Sequence, residues 1–183
     1  MLVENEKKKD HLELMRSHTR DQIQKLTGLT DTSGIEVISM VRTVTNLLDG
    51  VTNLKSGQND MSGPRWGLLM CLIGEEQLGK KDGITPTILS RYQSVSKNTI
   101  SALLRGLEEQ GFIQRALDPI DHRIFRIQLT PAGREFVKTT SPNRMVYLNQ
   151  LVSGLTADEC NQLIALLEKL YCSMLSASGT SKE

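Results

Sequence analysis

Lys97, Asn98, Thr99, Ser101, Ala102 and Arg105 share one side of a helix if Ile100, Leu103, Leu104 and Leu107, at helical spacing, turn inward. The outward side is then short, polar and nearly free of acids until Glu108. Amide and guanidinium groups can form paired hydrogen bonds to purine edges, hydroxyls can bond phosphates or bases, and small side chains let the helix backbone approach a groove. Ser94 and Ser96 add two hydroxyls in the tight turn just before it. A solvated helix surface has the same composition, so this face needs a companion. Arg123 supplies one: with His122 beside it, it sits in the polar tip of a hairpin, where a guanidinium can reach the negative potential of an adjacent minor groove. Asp121, two residues earlier, can orient that arginine through a charge-assisted pair, whereas an unpaired acid there would repel phosphate. A plain hairpin turn is the alternative.

Other chemistry lacks an assembled site. His11, His18 and His122 are far apart and have no i, i+4 or CxxC partners, so no metal site is expected. Cys71 stands among Leu68, Leu69, Leu72 and Ile73, where a small buried hydrophobe is the commoner role than a reactive thiol. Neither a Gly-rich phosphate loop, a nucleophile elbow nor a pair of catalytic carboxylates occurs, and no cofactor or enzymatic activity is expected.

The elements that must position the polar face can be read from caps and periods. Residues 1 to about 10 read as a frayed charged tail, and Leu12, Met15, Ile23 and Leu26 suggest a short helix before the breakers of TGLTDTSG. A stronger apolar repeat, Ile35, Ile38, Val41, Val44 and Leu48, follows Gly34. Ser62 with Pro64, Thr85 with Pro86, Ser96, and Thr130 with Pro131 each combine a cap with a favourable first turn, opening helices near 64, 86, 97 and 131. Between the last two, Phe112 to Arg115 and the alternating Ile124 to Leu129 form a hairpin whose tip is residues 117–123. The helix after Thr130 should be interrupted or kinked near Ser141 and Pro142. Thr156 and Glu159 make a capping box for a last helix with a broad apolar face.

The fold expected is mainly α with a small β-hairpin wing: a winged helix-turn-helix at 62–131, a dimerisation helix at 34–61, C-terminal dimerisation helices at 132–175, an N-terminal extension at 1–33 that admits an extra helix, and a disordered tail at 176–183. The stripes outside the winged domain are more apolar surface than about 70 residues can cover, which points to a homodimer. A chain of 183 residues needs no staple, and its three cysteines are scattered, as suits a reducing compartment. Its start has no secretory pattern and no run spans a membrane, so a cytoplasmic protein is expected. Net charge of +1 gives no hint of a polyanion partner, and any nucleic-acid site must arise by local clustering.

Ser94-Val-Ser-Lys-Asn-Thr-Ile-Ser, the run from Leu107 to Ile113, Asp118-Pro-Ile-Asp-His-Arg and Gln128-Leu-Thr-Pro-Ala-Gly together resemble the MarR family of bacterial regulators, closely over the winged domain and in order and length over about 34 to 175. The resemblance implies a homodimer with interlocked terminal helices, each winged domain set on one half of a pseudo-palindrome in double-stranded DNA. It implies that Asp121 and Arg123 are the wing pair; His122 departs from the arginine or lysine more common there, which weakens one backbone contact and makes it pH-sensitive. Peroxide-sensing relatives carry a cysteine in the first long helix, and residues 1 to 70 contain none. Relatives also bind small phenolic or aromatic acids near the junction of dimerisation helices and winged domain, where Met40, Arg42, Arg65, Trp66 and Met70 are the candidate effector-binding residues. A lone Trp and methionines at helical spacing equally suit a core. The function expected is an effector-responsive transcription regulator, a repressor by preference; the alternative is a winged-helix protein-interaction module without DNA affinity, which Asp118, Asp121, Glu108 and Glu109 keep open.

Overall fold

The structure is a computed structural model that describes residues 2–54, 61–80 and 82–177, with the side chains of 2–9, 53 and 54 outside the description. The described elements are α1 (Leu2–Thr27), α2 (Ser33–Leu54), α3 (Gly63–Gln77), α4 (Pro86–Gln93), α5 (Lys97–Glu109), β1 (Ile113–Leu117), β2 (Phe125–Leu129), α6 (Pro131–Leu151) and α7 (Ala157–Ala177). Two compact units divide the chain, residues 1–67 and 68–183. No described helix is long and apolar enough to cross a membrane.

In the first unit, α1 begins at Leu2, so the charged stretch expected to fray is helical from its start. Leu, Glu and Lys are strong helix formers, which outweighs the lack of an apolar stripe there. One carboxylate ties α1 to the start of α2. Glu36 accepts a two-pronged bond from Arg20 (2.9 Å from each of Nε and Nη2), another from Arg16 (2.9 Å), and the Thr32 hydroxyl (2.7 Å). These donors, Arg20 foremost, hold the Glu36 carboxyl down at about 2. Along α2, Ile35, Val37, Ile38, Val41, Val44, Leu47 and Leu48 remain exposed.

The second unit holds the larger core. Leu68, Leu69 and Leu72 of α3, Leu89 of α4, Ile100, Leu104 and Leu107 of α5, Ile113, Ile127 and Leu129 of the hairpin and Val137 of α6 are all buried. Helix α5 packs on α4 and β1, while β2 receives α4 and α6. The strands are antiparallel, in register from Ile113 opposite Leu129 to Leu117 opposite Phe125. A single-residue bridge, unforeseen in the sequence, extends the hairpin at Ile84, which exchanges both backbone hydrogen bonds with Ile127 (3.1 and 2.8 Å). Gly83, at φ 79°, makes this approach feasible, since a Cβ there would strike the Ile127 carbonyl.

The expected caps form. Ser62 Oγ accepts from Arg65 N–H (3.4 Å) and Thr85 Oγ1 from Ile88 N–H (3.4 Å), while Thr156 and Glu159 bond each other reciprocally. Thr130 does more: Oγ1 accepts from Gly133 N–H (3.0 Å) and donates to Gly111 O (2.6 Å), fastening α6 to the end of α5. Phe112 stacks on Phe136 at 4.4 Å across the same junction. The interruption expected near Pro142 is absent: α6 runs through it unbroken. Pro142 withholds only the N–H that the Lys138 carbonyl would accept, so it costs one helical bond rather than the helix; the Ser141 hydroxyl donates separately to Val137 O (2.6 Å). The tail expected from 176 falls, from residue 178 on, outside the described residues.

Gly133 is buried in the first turn of α6, and a Cβ on it would land on the backbone carbonyl of Phe112. Gly133→Ala should therefore destabilise the chain by about 1–3 kcal/mol through overpacking at the hairpin junction, measured as a lowered midpoint in denaturant unfolding.

Candidate nucleic-acid interface

The turn between α4 and α5 is drawn tight by short bonds. Ser90 Oγ donates to Val95 O (2.6 Å), Val95 N–H returns to Ser90 O (3.2 Å), and Ser94, the C-cap of α4, takes a left-handed conformation (φ 51°). Ser96 then caps α5, its Oγ accepting from Thr99 N–H at 3.1 Å. With Ile100, Leu104 and Leu107 buried, Lys97, Asn98, Thr99, Ser101, Ala102 and Arg105 are all exposed. Leu103, expected inside with them, is half-buried.

These exposed groups are not equivalent. The Ser96 and Thr99 hydroxyls bond each other (2.8 Å), Ser101 Oγ donates back to Lys97 O (2.9 Å), and the Ser94 hydroxyl lies 3.4 Å from that of Tyr171. Lys97, Asn98 and Arg105 make no side-chain hydrogen bond or ion pair with another described residue, and they are the groups of α5 ready to meet a ligand. Glu108, the first acid after them, is matched by Arg115 at 3.0 Å.

At the hairpin tip the carboxylates act differently from expectation. Asp121 does not hold the Arg123 guanidinium; its Oδ1 accepts the Arg123 backbone N–H at 3.0 Å, so the acid shapes the turn and leaves the cation projecting. Both residues, and His122, are exposed. The organising acid is Asp118, which is buried: one oxygen accepts Ile120 N–H (2.8 Å) and Asp121 N–H (3.0 Å), the other the Arg126 guanidinium, which also donates to Gly83 O (3.1 Å). Sequence reasoning gave Asp118 no such part, although Asp followed by Pro119 is a turn signature in which the acid bonds the amides beyond the proline.

The effector candidates fall in both units. Met40 is half-buried and Arg42 exposed on α2, Arg65 is half-buried and Trp66 buried in the first unit, and Met70 is exposed in the second. Trp66 serves as core.

The two amides, with Arg126 after them, hold the Asp118 carboxyl down at about 2. A carboxyl depressed on folding stabilises the fold above its unfolded pKa, near 4, and that contribution fades as pH falls toward 2. Protection of the Ile120 and Asp121 amides from hydrogen exchange should accordingly decline over that range in the native chain. Asp118→Asn should weaken it at every pH and flatten the decline.

The comparisons agree with this geometry. No family model matches the chain. The transcriptional repressor MprA of Escherichia coli K12 is 33% identical over 103 residues, covering 56% of this chain and 58% of that protein. The matched stretch thus spans little more than half the length of such curated relatives. The Staphylococcus aureus MepR–DNA complex superposes with a TM-score of 0.66 at 27% identity, covering 74% of this chain and 96% of that one. A MarR family transcriptional regulator from Silicibacter pomeroyi shares the fold (TM-score 0.63, 18% identity, 76% and 90% covered). In fold the chain is similar to MarR-type winged helix-turn-helix regulators, and in sequence to transcriptional regulators such as MprA.

Proposed function

We propose that this chain is a sequence-specific DNA-binding transcription regulator, a repressor, acting as a homodimer on a pseudo-palindromic site. The observation that carries the reading is the outward face of α5, where Lys97, Asn98 and Arg105 are exposed and free of bonds to other described side chains while the opposite face is locked in the core. Such a helix enters the major groove end-on: an Asn can bond an adenine edge, an Arg a guanine edge, and a Lys a phosphate. Arg123, exposed at the hairpin tip, would then meet the adjacent minor groove. That MepR has been crystallised with DNA, and that MprA is named a repressor, support the assignment.

Homodimerisation is supported by surface that a lone chain leaves wet. Besides the α2 stripe, Leu163, Ile164, Leu166, Leu167, Tyr171 and Met174 of α7 are between 44% and 62% exposed. Two apolar helical faces of this extent are unfavourable in water and are relieved by association. A two-fold axis through the α7 face would set two recognition helices about one helical turn of DNA, ~34 Å, apart.

A mobility-shift assay on genomic fragments tests the function. Specific, salt-sensitive complexes are expected, and a chain that shifts no fragment at low salt is an interaction module instead. Asn98→Ala or Arg105→Ala should cost about 1–3 kcal/mol on the preferred sequence and much less on unrelated DNA. Leu166→Glu should convert the dimer to monomer in sedimentation equilibrium without loss of helicity; a mass that was monomeric before the substitution would end the dimer reading.

A further inference from the structure

The apolar face of the hairpin is longer than the body that covers it. Ile113, Ile127 and Leu129 are buried, yet the same face continues outward to Leu117 opposite Phe125, which are 54% and 48% exposed. Beyond them Ile124 is 40% exposed and Ile120, at the tip, 90%. A turn need not display an isoleucine, since polar residues suit the position better, and four large apolar side chains on one small hairpin are an exposed patch that asks for an occupant.

The patch is displayed rigidly. Asp118 accepts both the Ile120 and Asp121 amides, Arg126 secures Asp118 from the strand, and Asp121 fixes the Arg123 amide. Both acids are therefore turned onto the backbone, while the Arg123 guanidinium, three residues from Ile120, has no ion pair with another described residue. The tip offers an exposed apolar side chain and an exposed cation, without an ion pair among the described residues, three residues apart. The minor groove of DNA offers the complement: a strip of negative potential on its floor between walls of deoxyribose carbon and hydrogen, about 6 Å apart. A second copy of the chain is the weaker occupant, because α2 and α7 carry far more apolar surface to offer it.

Resting on the DNA-binding reading above, we infer that the wing makes an apolar contact in the minor groove, with Ile120 lying against the sugar walls beside Arg123 and Leu117, Ile124 and Phe125 covering the groove edge. The contact would add affinity that does not depend on counterion release, unlike that of the arginine.

The test uses the full chain and a 30-base-pair duplex recovered with it from a random-sequence library, with binding measured across a salt series and hydroxyl-radical cleavage reporting the minor-groove sugars. Ile120→Ser should weaken binding about tenfold, leave the salt slope unchanged and uncover the sugars flanking the α5 site. Ile120→Leu should bind as the native chain does, and Arg123→Ala should lower the salt slope by about 1. Because Ile120 is almost fully exposed, neither substitution at it threatens the fold. Native affinity and protection in Ile120→Ser would overturn the inference alone and turn the patch toward a protein partner. A salt slope in Ile120→Ser reduced like that of Arg123→Ala would also overturn it, since the loss would then come from a disturbed arginine. Failure of the native chain to recover any duplex would overturn both this inference and the reading beneath it.

Discussion

The burial of Ile100, Leu104 and Leu107 is the constraint from which the rest of the second unit follows. Each contributes roughly 1.5–3 kcal/mol as an upper bound for a buried aliphatic, and together they leave α5 one rotation about its axis that does not expose them. Which residues face outward is thereby settled without any specific polar contact. The cap at Ser96 fixes where the helix begins, and hence that Lys97 and Asn98 occupy its first turn, where the free N–H groups and the positive end of the helix dipole also point. A recognition surface of this kind is a by-product of packing, and it remains intact while its own residues vary.

The hairpin depends on a different force. Only its inner half shares the core, so its outer half must be held by polar bonds. Asp118 supplies them from a buried position and is matched by Arg126, a partner that spans from the hairpin to Gly83 before α4. A buried pair of this type is weak evidence of net stability, since desolvation offsets much of the attraction. It is strong evidence of geometry: four bonds on one carboxylate and its partner leave the turn a single arrangement.

How much of this could be read in advance divides along the same line. Caps and apolar periods are local, and Ser62, Thr85, Ser96, Thr130 and Thr156 open helices as their types and neighbours suggest. What escaped depends on residues distant in sequence. The Ile84 bridge needs Ile127, forty-three positions on, and a single bridging residue has no period to detect. Of the interruption or kink that Pro142 suggests, the interruption does not occur, because the local rule for proline takes no account of the packing of the rest of α6. Asp121 and Arg123 were rightly located at the tip, but side chains two apart were assumed to face each other, and the turn instead brings the carboxylate to the amide.

The net charge of +1 counts against a polyanion partner only in the far field. Net charge describes the far field, and salt screens that field beyond about 8–10 Å. What a phosphate meets at contact is the local balance, and several of the acids are matched by arginines. Glu36 is bound to Arg16 and Arg20, Glu76 to Arg134, Glu108 to Arg115 and Asp118 to Arg126. Each of these cations is neutralised in turn, so the pairs contribute little to either sign. Lys97 and Arg105 on α5 and Arg123 on the wing are left without such a pair among the described residues, and they lie on the elements that packing and the Asp118 turn push outward. A nearly neutral chain can thus present a cationic surface when its ion pairs are distributed unevenly, and that unevenness is a property of the fold which no sum over the sequence reveals.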